Sequence, residues 1–310
     1  MSIINGDNNP NVLLGGAVAD KINGYGGDDV ISGGGGNDLL DGGTGNDVLD
    51  GGADDDAIHG GVGTNTLDGG AGDDVLYSDS GASHDNLSGG AGDDLFHVYG
   101  IIGGKIDGGA GVNTLDFGAG SATDFDGSSG TALFGNIQKV QGNLNGTAGN
   151  DVLSLSTLTG ATGTLYIYGG TGNDSIAGGS EVDVIHGGDG DDNIRGGLGA
   201  DQLTGGAGVD TFTYNSINDS LVANPDHITD FLSGVDKIDL RGIDANSTVA
   251  GNQAFVLVGG DHFTGLGQIL VTANGQGGLI VSGNTTGDLG ADFSISLDHS
   301  TTIFSTDFFL

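Results

Sequence analysis

The chain contains no cysteine and no tryptophan, and only two of its 310 residues are proline. The absence of cysteine excludes disulfides and thiolate metal sites. Glycine accounts for 68 residues, but the scarcity of proline and the lack of a three-residue glycine period exclude a collagen triple helix. No apolar run approaches the ~20 residues of a membrane-spanning helix, so stable membrane insertion is not expected.

Basic residues are also scarce, because 6 Lys and Arg stand against 42 Asp and Glu, a formal net charge of −36. This balance excludes nucleic acid and anionic membrane surfaces as partners. Self-repulsion of this size also opposes a compact fold unless a cation forms part of the structure.

Recognisable catalytic motifs are missing. None of the seven histidines lies in an H-E-x-x-H zinc motif, and no G-x-S-x-G elbow is present. The carboxylates are too numerous for any pair to stand out as a glycosidase dyad. We therefore expect a protein that is not an enzyme. Surface glycans stay a candidate partner. An aromatic platform would have to use Tyr25, Tyr77, Tyr99, Tyr166 and Tyr168, of which the last four could form outward patches.

A nine-residue repeat, G-G-x-G-x-D-x-U-x with U a large apolar residue, organises the chain. It recurs in eighteen frames, eleven across residues 15–116 and seven across residues 146–213. Full matches include GGTGNDVLD from Gly42 and GGAGDDLFH from Gly89. The eighth position is apolar in all eighteen frames, and the sixth is Asp in fourteen. The ninth position holds His59, His97 and His186, which we expect to be solvated side chains.

Each part of the repeat has a physical role. The glycines permit backbone conformations with positive φ, and x-U-x forms a short strand with one inward apolar side chain. Two nonapeptides complete one coil, so repeats i and i+2 stack about 4.8 Å apart.

This stacking brings aspartates of one edge close together, where two carboxylates repel by about 1 kcal/mol in water and by several times that at lower dielectric. A hard divalent cation between coils converts that repulsion into bonding. Calcium accepts an irregular all-oxygen shell of carboxylates and turn carbonyls, whereas magnesium requires a tight octahedron.

The motif resembles the RTX repeat, the haemolysin-type calcium-binding nonapeptide. The resemblance implies an all-β fold, a right-handed parallel β-roll in two blocks, with multiple Ca²⁺ ions held between turns. The sixth-position ligands it implies are Asp20, Asp29, Asp38, Asp47, Asp56, Asp74, Asp94, Asp151, Asp174, Asp183, Asp192, Asp201 and Asp210. The turn glycines expected to contribute carbonyls include Gly34, Gly36, Gly43, Gly45, Gly170, Gly172, Gly188, Gly190, Gly197 and Gly199.

Some frames depart from the motif. Val18, Asp54 and Glu181 replace the fourth-position glycine, and two extra residues, Ser78 and Asp79, precede the frame of Asp85. We expect lower calcium occupancy at these places.

The organisation of the chain follows from where the period holds. We predict a first β-roll with a lead-in over residues 1–116, a non-repeat insertion over 117–145 and a second β-roll over 146–213. Residues 214–310 resemble the C-terminal segment of serralysin-type secreted proteases. They are expected to form a β-rich cap over the open end of the roll.

Export is predicted from the last residues, Asp307-Phe308-Phe309-Leu310, which resemble an uncleaved signal read by a type I secretion channel. The first ten residues, MSIINGDNNP, lack the basic and apolar regions of a secretory signal peptide, which fits that route. We therefore expect an extracellular or cell-surface protein.

The leading functional prediction is a calcium-binding structural protein of a surface layer, biofilm matrix or adhesive coat. It would fold, and associate with copies of itself, on binding Ca²⁺ outside the cell. Two alternatives stay open: a secreted effector or signalling protein acting on host cells or membranes, and the non-catalytic portion of a larger secreted enzyme.

Overall fold

The computed structural model describes residues 1–78, 85–98, 104–116, 133–135, 137, 139–141, 143–146, 149–155 and 164–310. In this part of the chain the regular elements are β-strands and two 3₁₀ turns (Ile217–Asp219 and Ser305–Asp307), with no α-helix. No helix among these residues is long and apolar enough to cross a membrane. The chain divides into two compact units, residues 1–146 with 157–163, and residues 147–156 with 164–310.

Unit one is built from two parallel sheets, with strands numbered along the chain. The first sheet contains β1 (Ile3–Asn5), β3 (Lys21–Asn23), β5 (Leu39–Asp41), β7 (Ala57–His59), β9 (Val75–Ser78), β11 (Leu95–Val98), β13 (Thr114–Asp116) and β15 (Lys139–Gln141). The second contains β2 (Val12–Leu14), β4 (Val30–Gly35), β6 (Val48–Ala53), β8 (Thr66–Ala71), β10 (Asn86–Ala91), β12 (Lys105–Ala110) and β14 (Leu133–Gly135). Strand β16 covers Asn143–Asn145.

Consecutive strands alternate between the two sheets, as the repeat predicts. Ile22 of β3 pairs with Leu40 of β5, and Ile31 of β4 pairs with Leu49 of β6. Both offsets equal two nonapeptides, so each coil contains two repeats and the predicted stacking of repeats i and i+2 is confirmed. The all-β parallel solenoid is therefore the fold of this unit.

The core of the solenoid is one residue thick on each side. The eighth-position side chains Ile22, Leu40 and Ile58 have no solvent exposure, and their neighbours in each strand point outward. Short x-U-x strands suffice because every backbone ladder bond is made with the next coil rather than within a long strand.

Coils extend beyond the frames counted in the sequence. Strand β1 precedes residue 15 and pairs in register with β3. Residues 117–132, most of the predicted insertion, lie outside the described residues. Strands β14 and β15 follow them and pair in parallel with β12 and β13, so the later part of that segment continues the coil stack.

Unit two also contains two sheets. One comprises β18 (Tyr166–Thr171), β20 (Val184–Asp189), β22 (Gln202–Ala207), β24 (Asp226–Ile228), β29 (Phe293–Leu297), β28 (Leu279–Asn284), β27 (Gln268–Ala273) and β26 (Val256–Val258), in this spatial order. The other comprises β17 (Val152–Ser154), β19 (Ser175–Ala177), β21 (Asn193–Arg195), β23 (Thr211–Thr213), β25 (Lys237–Asp239) and β30 (Phe308–Phe309).

The C-terminal part of unit two forms the β-rich cap that the sequence predicted. Strand β29 adds in parallel to the last solenoid strand of its sheet, β24, and then pairs antiparallel with β28. Strand β30 covers the corresponding edge of the other sheet by pairing with β25. The last strands of the two roll sheets are thereby paired, which removes edges that would otherwise add further strands.

Candidate metal-binding ladders

The sixth-position side chains form four rows along the turns, which we call the carboxylate ladders. In unit one they are Asp20–Asp38–Asp56–Asp74–Asp94 and Asp29–Asp47–Asn65–Asp85. In unit two they are Asp151–Asp174–Asp192–Asp210 and Asp183–Asp201. The thirteen aspartates predicted as ligands are all in these ladders, and none is more than 5% exposed.

A single hydrogen bond joins successive members of each ladder. The backbone N–H of Asp20 donates to Oδ1 of Asp38 at 2.7 Å, and the N–H of Asp38 donates to Oδ1 of Asp56 at 2.7 Å. The N–H of Asp183 donates in the same way to Oδ1 of Asp201 at 2.9 Å. One oxygen of each carboxylate is thus used to connect neighbouring coils.

The second carboxylate oxygen is buried and receives no hydrogen bond in most of these residues. This holds for Oδ2 of Asp29, Asp38, Asp47, Asp56, Asp74, Asp94, Asp174, Asp192, Asp201 and Asp210. Native proteins rarely leave a buried polar atom without a partner. Ten such oxygen atoms, distributed over the four ladders, therefore require a physical explanation.

Burial raises the pKa of several of these carboxylates, which favours their protonated form. Desolvation raises the pKa of Asp56 to about 7, with the neighbouring carboxylates of Asp74 and Asp38 adding to the rise. Desolvation and the charge of Asp226 raise the pKa of Asp201 to about 8. A bound cation would reverse this effect, because an adjacent positive charge favours the ionised carboxylate.

The first glycine of each repeat makes room for that second oxygen. A Cβ at Gly33 would lie 2.2 Å from Oδ2 of Asp38, and one at Gly187 would lie 2.3 Å from Oδ2 of Asp192. The predicted carbonyl donors at the second and fourth positions all have φ between 86° and 144°, from Gly36 to Gly199. Their carbonyls point along the coil stack, since a Cβ on Gly190 would meet the carbonyl oxygen of Gly172 at 1.8 Å.

The aspartates of the ladders offer oxygen atoms only, and each coil contributes at most one carboxylate per edge. Among the described residues, no three His, Asp or Glu side chains converge on one point that could hold a metal ion. The other oxygen atoms near the ladders include the backbone carbonyls of the glycine turns. Calcium tolerates this mixture of carboxylate and carbonyl oxygens.

Comparison with protein families identifies both halves of the chain. The family of RTX calcium-binding nonapeptide repeats matches residues 5–40, 32–67, 50–84, 80–98 and 105–123. The C-terminal domain of the M10 peptidase serralysin matches residues 161–308. This is an RTX repeat chain with a serralysin C-terminal domain. It is accordingly a secreted protein that binds several calcium ions, and its C-terminal domain indicates export by type I secretion.

The comparison with curated proteins found no match. Among solved structures, a subunit of the mannuronan C5-epimerase from Azotobacter vinelandii is 23% identical, with 54% of this chain and 76% of that chain covered and a TM-score of 0.28. The extracellular lipase LipA from Serratia marcescens is 17% identical, with 85% of this chain and 40% of that chain covered and a TM-score of 0.23.

Two RTX frames that lack the fourth glycine differ from the rest. Where Val18 and Glu181 stand in that position, the second oxygen of the carboxylate accepts a backbone N–H, from Gly16 to Asp20 at 3.0 Å and from Gly179 to Asp183 at 2.7 Å. The third such frame does not differ, because Asp54 itself adopts φ 75° and Oδ2 of Asp56 keeps no donor. A missing glycine therefore changes the turn at two of the three positions.

Asparagine interrupts one ladder. Asn65 accepts the N–H of Asp47 through Oδ1 at 2.9 Å, like the aspartates, but its Nδ2 donates to the carbonyl of Gly61 at 3.3 Å. An amide nitrogen thus occupies the place of the second carboxylate oxygen. It donates a hydrogen bond to Gly61, whose carbonyl is at the second position of the repeat.

Sequence reasoning missed two ladder members beyond residue 213. The N–H of Asp201 donates to Oδ1 of Asp226 at 2.9 Å, and that of Asp210 donates to Oδ1 of Asp236 at 3.1 Å. Both are buried, and Oδ2 of Asp226 has no donor. The signal was an Asp-x-Ile pattern in D-H-I and D-K-I, without the glycines.

The outward aromatic residues pack against one another. Tyr77 stacks between His59, at 4.0 Å between ring centroids, and His97, at 4.9 Å. Tyr168 stacks on His186 at 5.1 Å. These histidines are therefore ring-stacked rather than simply solvated, and one predicted sugar-stacking surface, Tyr77, has both faces covered. Tyr99 lies outside the described residues.

Proposed function

We propose that calcium ions lie along the carboxylate ladders, held by the second oxygen of the sixth-position aspartates and by carbonyls of the second- and fourth-position glycines. The ten donorless Oδ2 atoms support this proposal most directly. An apolar protein interior stabilises a carboxylate only when a partner offsets its desolvation. Asp226 joins the predicted ligands on the same ground, whereas Asp20 and Asp183 contribute less because their second oxygens already accept an N–H.

The ladders tie the fold itself to calcium. Each aspartate connects two coils through its first oxygen, and the core between the sheets is one residue thick, so little else opposes repulsion within a charge of −36. Metal-binding free energy then becomes folding free energy. The chain stays unfolded and ready for export where calcium is scarce, and it folds outside the cell.

The folded protein acts, on this proposal, as a non-enzymatic extracellular structural component that associates with copies of itself. An outward column of valines on the second sheet of unit one supports the association. Val12, Val30 and Val48 are in direct register on neighbouring coils, and their side chains are 71%, 46% and 47% exposed. A contiguous apolar column on so acidic a protein fits a second copy, whose charge calcium has likewise reduced.

The test combines far-UV circular dichroism with light scattering on the full chain. Excess chelator should give a coil spectrum, and millimolar calcium should restore β structure cooperatively. Association should follow at the same calcium concentration and weaken in Val30→Lys, with Val152→Lys on unit two as the matched exposed control. Native β structure in chelator at pH 8 contradicts the calcium proposal, and a monomer at high protein and calcium concentration contradicts self-association.

One alternative has a specific observation behind it. The match over residues 161–308 is to the C-terminal domain of a peptidase, a segment that accompanies a catalytic domain in that protein. The chain would then serve as the calcium-binding and export portion of a larger secreted enzyme. Mass spectrometry of the secreted native product distinguishes this alternative from the structural role, since a product much larger than 30.4 kDa favours the alternative.

A further inference from the structure

The last residues of the chain are folded into unit two. Strand β30 pairs in parallel with β25, with Phe308 opposite Ile238, and the N–H of Leu240 donates to the carbonyl of Phe309 at 2.9 Å. Asp307 is fully buried and Phe308 nearly so. Two of the four residues that resemble a secretion signal are therefore buried in the folded protein, whereas Phe309 is 38% exposed.

The carboxylate of Asp307 organises the loop that leads to β25. Its Oδ1 accepts the N–H of Gly234 at 3.0 Å, and its Oδ2 accepts the hydroxyl of Ser233 at 2.6 Å and the N–H of Phe304 at 2.8 Å. Hydrogen bonds to an ionised carboxylate are among the stronger ones in proteins. Asp307 thus joins the C-terminal tail to residues 232–236.

That loop ends at the last member of a carboxylate ladder. Asp236 accepts the N–H of Leu232 through Oδ2 at 2.7 Å and the N–H of Asp210 through Oδ1 at 3.1 Å. Asp210 keeps a buried Oδ2 without a donor. A continuous set of contacts therefore runs from the tail, through Ser233 and Gly234, to the ladder member nearest the cap.

The other ladder of unit two ends differently. Asp226 is held by Ser220, whose hydroxyl accepts the N–H of Asp226 at 2.8 Å and itself donates to the carbonyl of Ser294. Residues 304–310 take no part in these contacts. The two ladders of one unit thus supply an internal comparison.

We propose that Asp307 is a positioning residue that couples docking of the C-terminal tail to calcium binding at Asp210, the ladder aspartate that Asp236 contacts and that keeps an oxygen without a donor. Because such coupling is reciprocal, calcium at this rung favours the docked tail, and the docked tail raises calcium affinity there. Folding outside the cell then buries Asp307 and Phe308, two of the residues that resemble the secretion signal. The inference depends on the proposed binding of calcium along the ladders.

The experiment is hydrogen–deuterium exchange of the full chain across a calcium titration. It follows peptides covering residues 231–240, 300–310, 220–229 and 27–50 in the wild type, Asp307→Ala, Ser233→Ala and Asp307→Asn. Asp261→Asn is the control, since the Asp261 side chain is 93% exposed and pairs only with its neighbour His262. In the wild type, protection of 231–240 and 300–310 should rise at one shared calcium concentration.

In Asp307→Ala the midpoint for residues 231–240 should rise about tenfold, the size expected for loss of charge-assisted hydrogen bonds. Ser233→Ala should give a smaller rise, and Asp307→Asn should restore part of the loss. Peptides 220–229 and 27–50 should keep their midpoints, and saturating calcium should restore protection of 231–240.

Calcium-independent protection of the tail in the wild type overturns the inference. So does a loss of protection at 231–240 in Asp307→Ala that saturating calcium does not reverse, because that result denotes a purely structural contact. Failure of peptide 27–50 to respond to calcium is a different result, since it contradicts the proposed calcium ladders themselves.

Discussion

The backbone N–H of Asp38 donates to one oxygen of Asp56 at 2.7 Å, and the other oxygen of Asp56 is buried without a donor. The same residue thus connects two coils and presents an unpaired anionic atom between them. The two oxygens of the Asp56 carboxylate therefore have different roles, which a substitution can separate.

Replacing Asp56 with Asn should impair calcium binding while preserving the link between coils. The amide keeps Oδ1 as an acceptor for Asp38 but puts an NH₂ where the second oxygen was, as Asn65 does naturally. Isothermal titration should show fewer bound ions and a higher calcium concentration for folding. Asp55→Asn, at an exposed neighbouring position, is the matched control, and equal effects of the two variants would refute the assignment.

Gly33→Ala should destabilise the calcium-loaded fold by about 1–3 kcal/mol, the usual cost of overpacking a tight site. Its Cβ would lie 2.2 Å from Oδ2 of Asp38 and 2.6 Å from the carbonyl oxygen of Gly51. Chemical denaturation in saturating calcium measures the change. Gly259→Ala is the control, because nothing lies within 4 Å of a Cβ there. Similar unfolding midpoints for both variants would show that the first glycine is dispensable.

The calcium-free protein should gain β structure on acidification. Burial raises the pKa of Asp201 to about 8, of Asp56 to about 7 and of Asp94 to about 6, against 3.8 for an ordinary Asp. Between pH 3.8 and these values the folded state binds more protons than the unfolded state, so its stability rises as pH falls and is lost as pH rises through 6–8.

Circular dichroism in chelator between pH 8 and pH 5 checks this expectation. With calcium present the trend should reverse, since protons compete with the ion for the same oxygens, and more calcium should be needed at pH 5. A calcium-free spectrum that stays coil-like throughout would show that protonation cannot replace the cation.

Arg195→Ala should destabilise unit two by about 2 kcal/mol, because it leaves a buried carboxylate without its charged partner, although the arginine is partly exposed. The guanidinium contacts Asp219 at 3.2 Å, and the Asp219 side chain is only 2% exposed. Arg241→Ala, which removes a more exposed arginine (63%) from its pair with a less deeply buried carboxylate, Asp239 (14%), should lower thermal stability less. A reversed order of the two effects would contradict this account of the Asp219 environment.

The nine-residue period was sufficient to predict the solenoid. A two-repeat coil follows from strand length and turn geometry alone, and the pairing of Ile22 with Leu40 confirms it. The thirteen aspartates also appear in the ladders as predicted, because a strict period places the sixth position of every second repeat at the same edge. Whether each one binds calcium stays a prediction.

Period alone misleads where the chain leaves the repeat. Asp219 lies 18 residues after Asp201, the spacing of a ladder neighbour, yet it pairs with Arg195, and Asp226 takes the ladder position instead. The 3₁₀ turn Ile217–Asp219 and a longer connection lie between Asp201 and Asp226, and only the folded chain shows how many residues they contain. Likewise, the repeat pattern does not distinguish Val18, Asp54 and Glu181, which all replace glycine. In the structure, the carboxylate accepts an extra N–H only in the frames of Val18 and Glu181.

The sequence by itself thus determined the coil, the buried apolar column and the edge on which carboxylates gather, since these depend on local geometry repeated many times. Tertiary structure decided which carboxylates keep an oxygen without a donor and how the chain ends. Asp307 contacts Ser233 and Gly234, which are more than 70 residues away, and no local pattern encodes that contact. Such contacts are decided by the packing of the cap, where the repeat no longer constrains the chain.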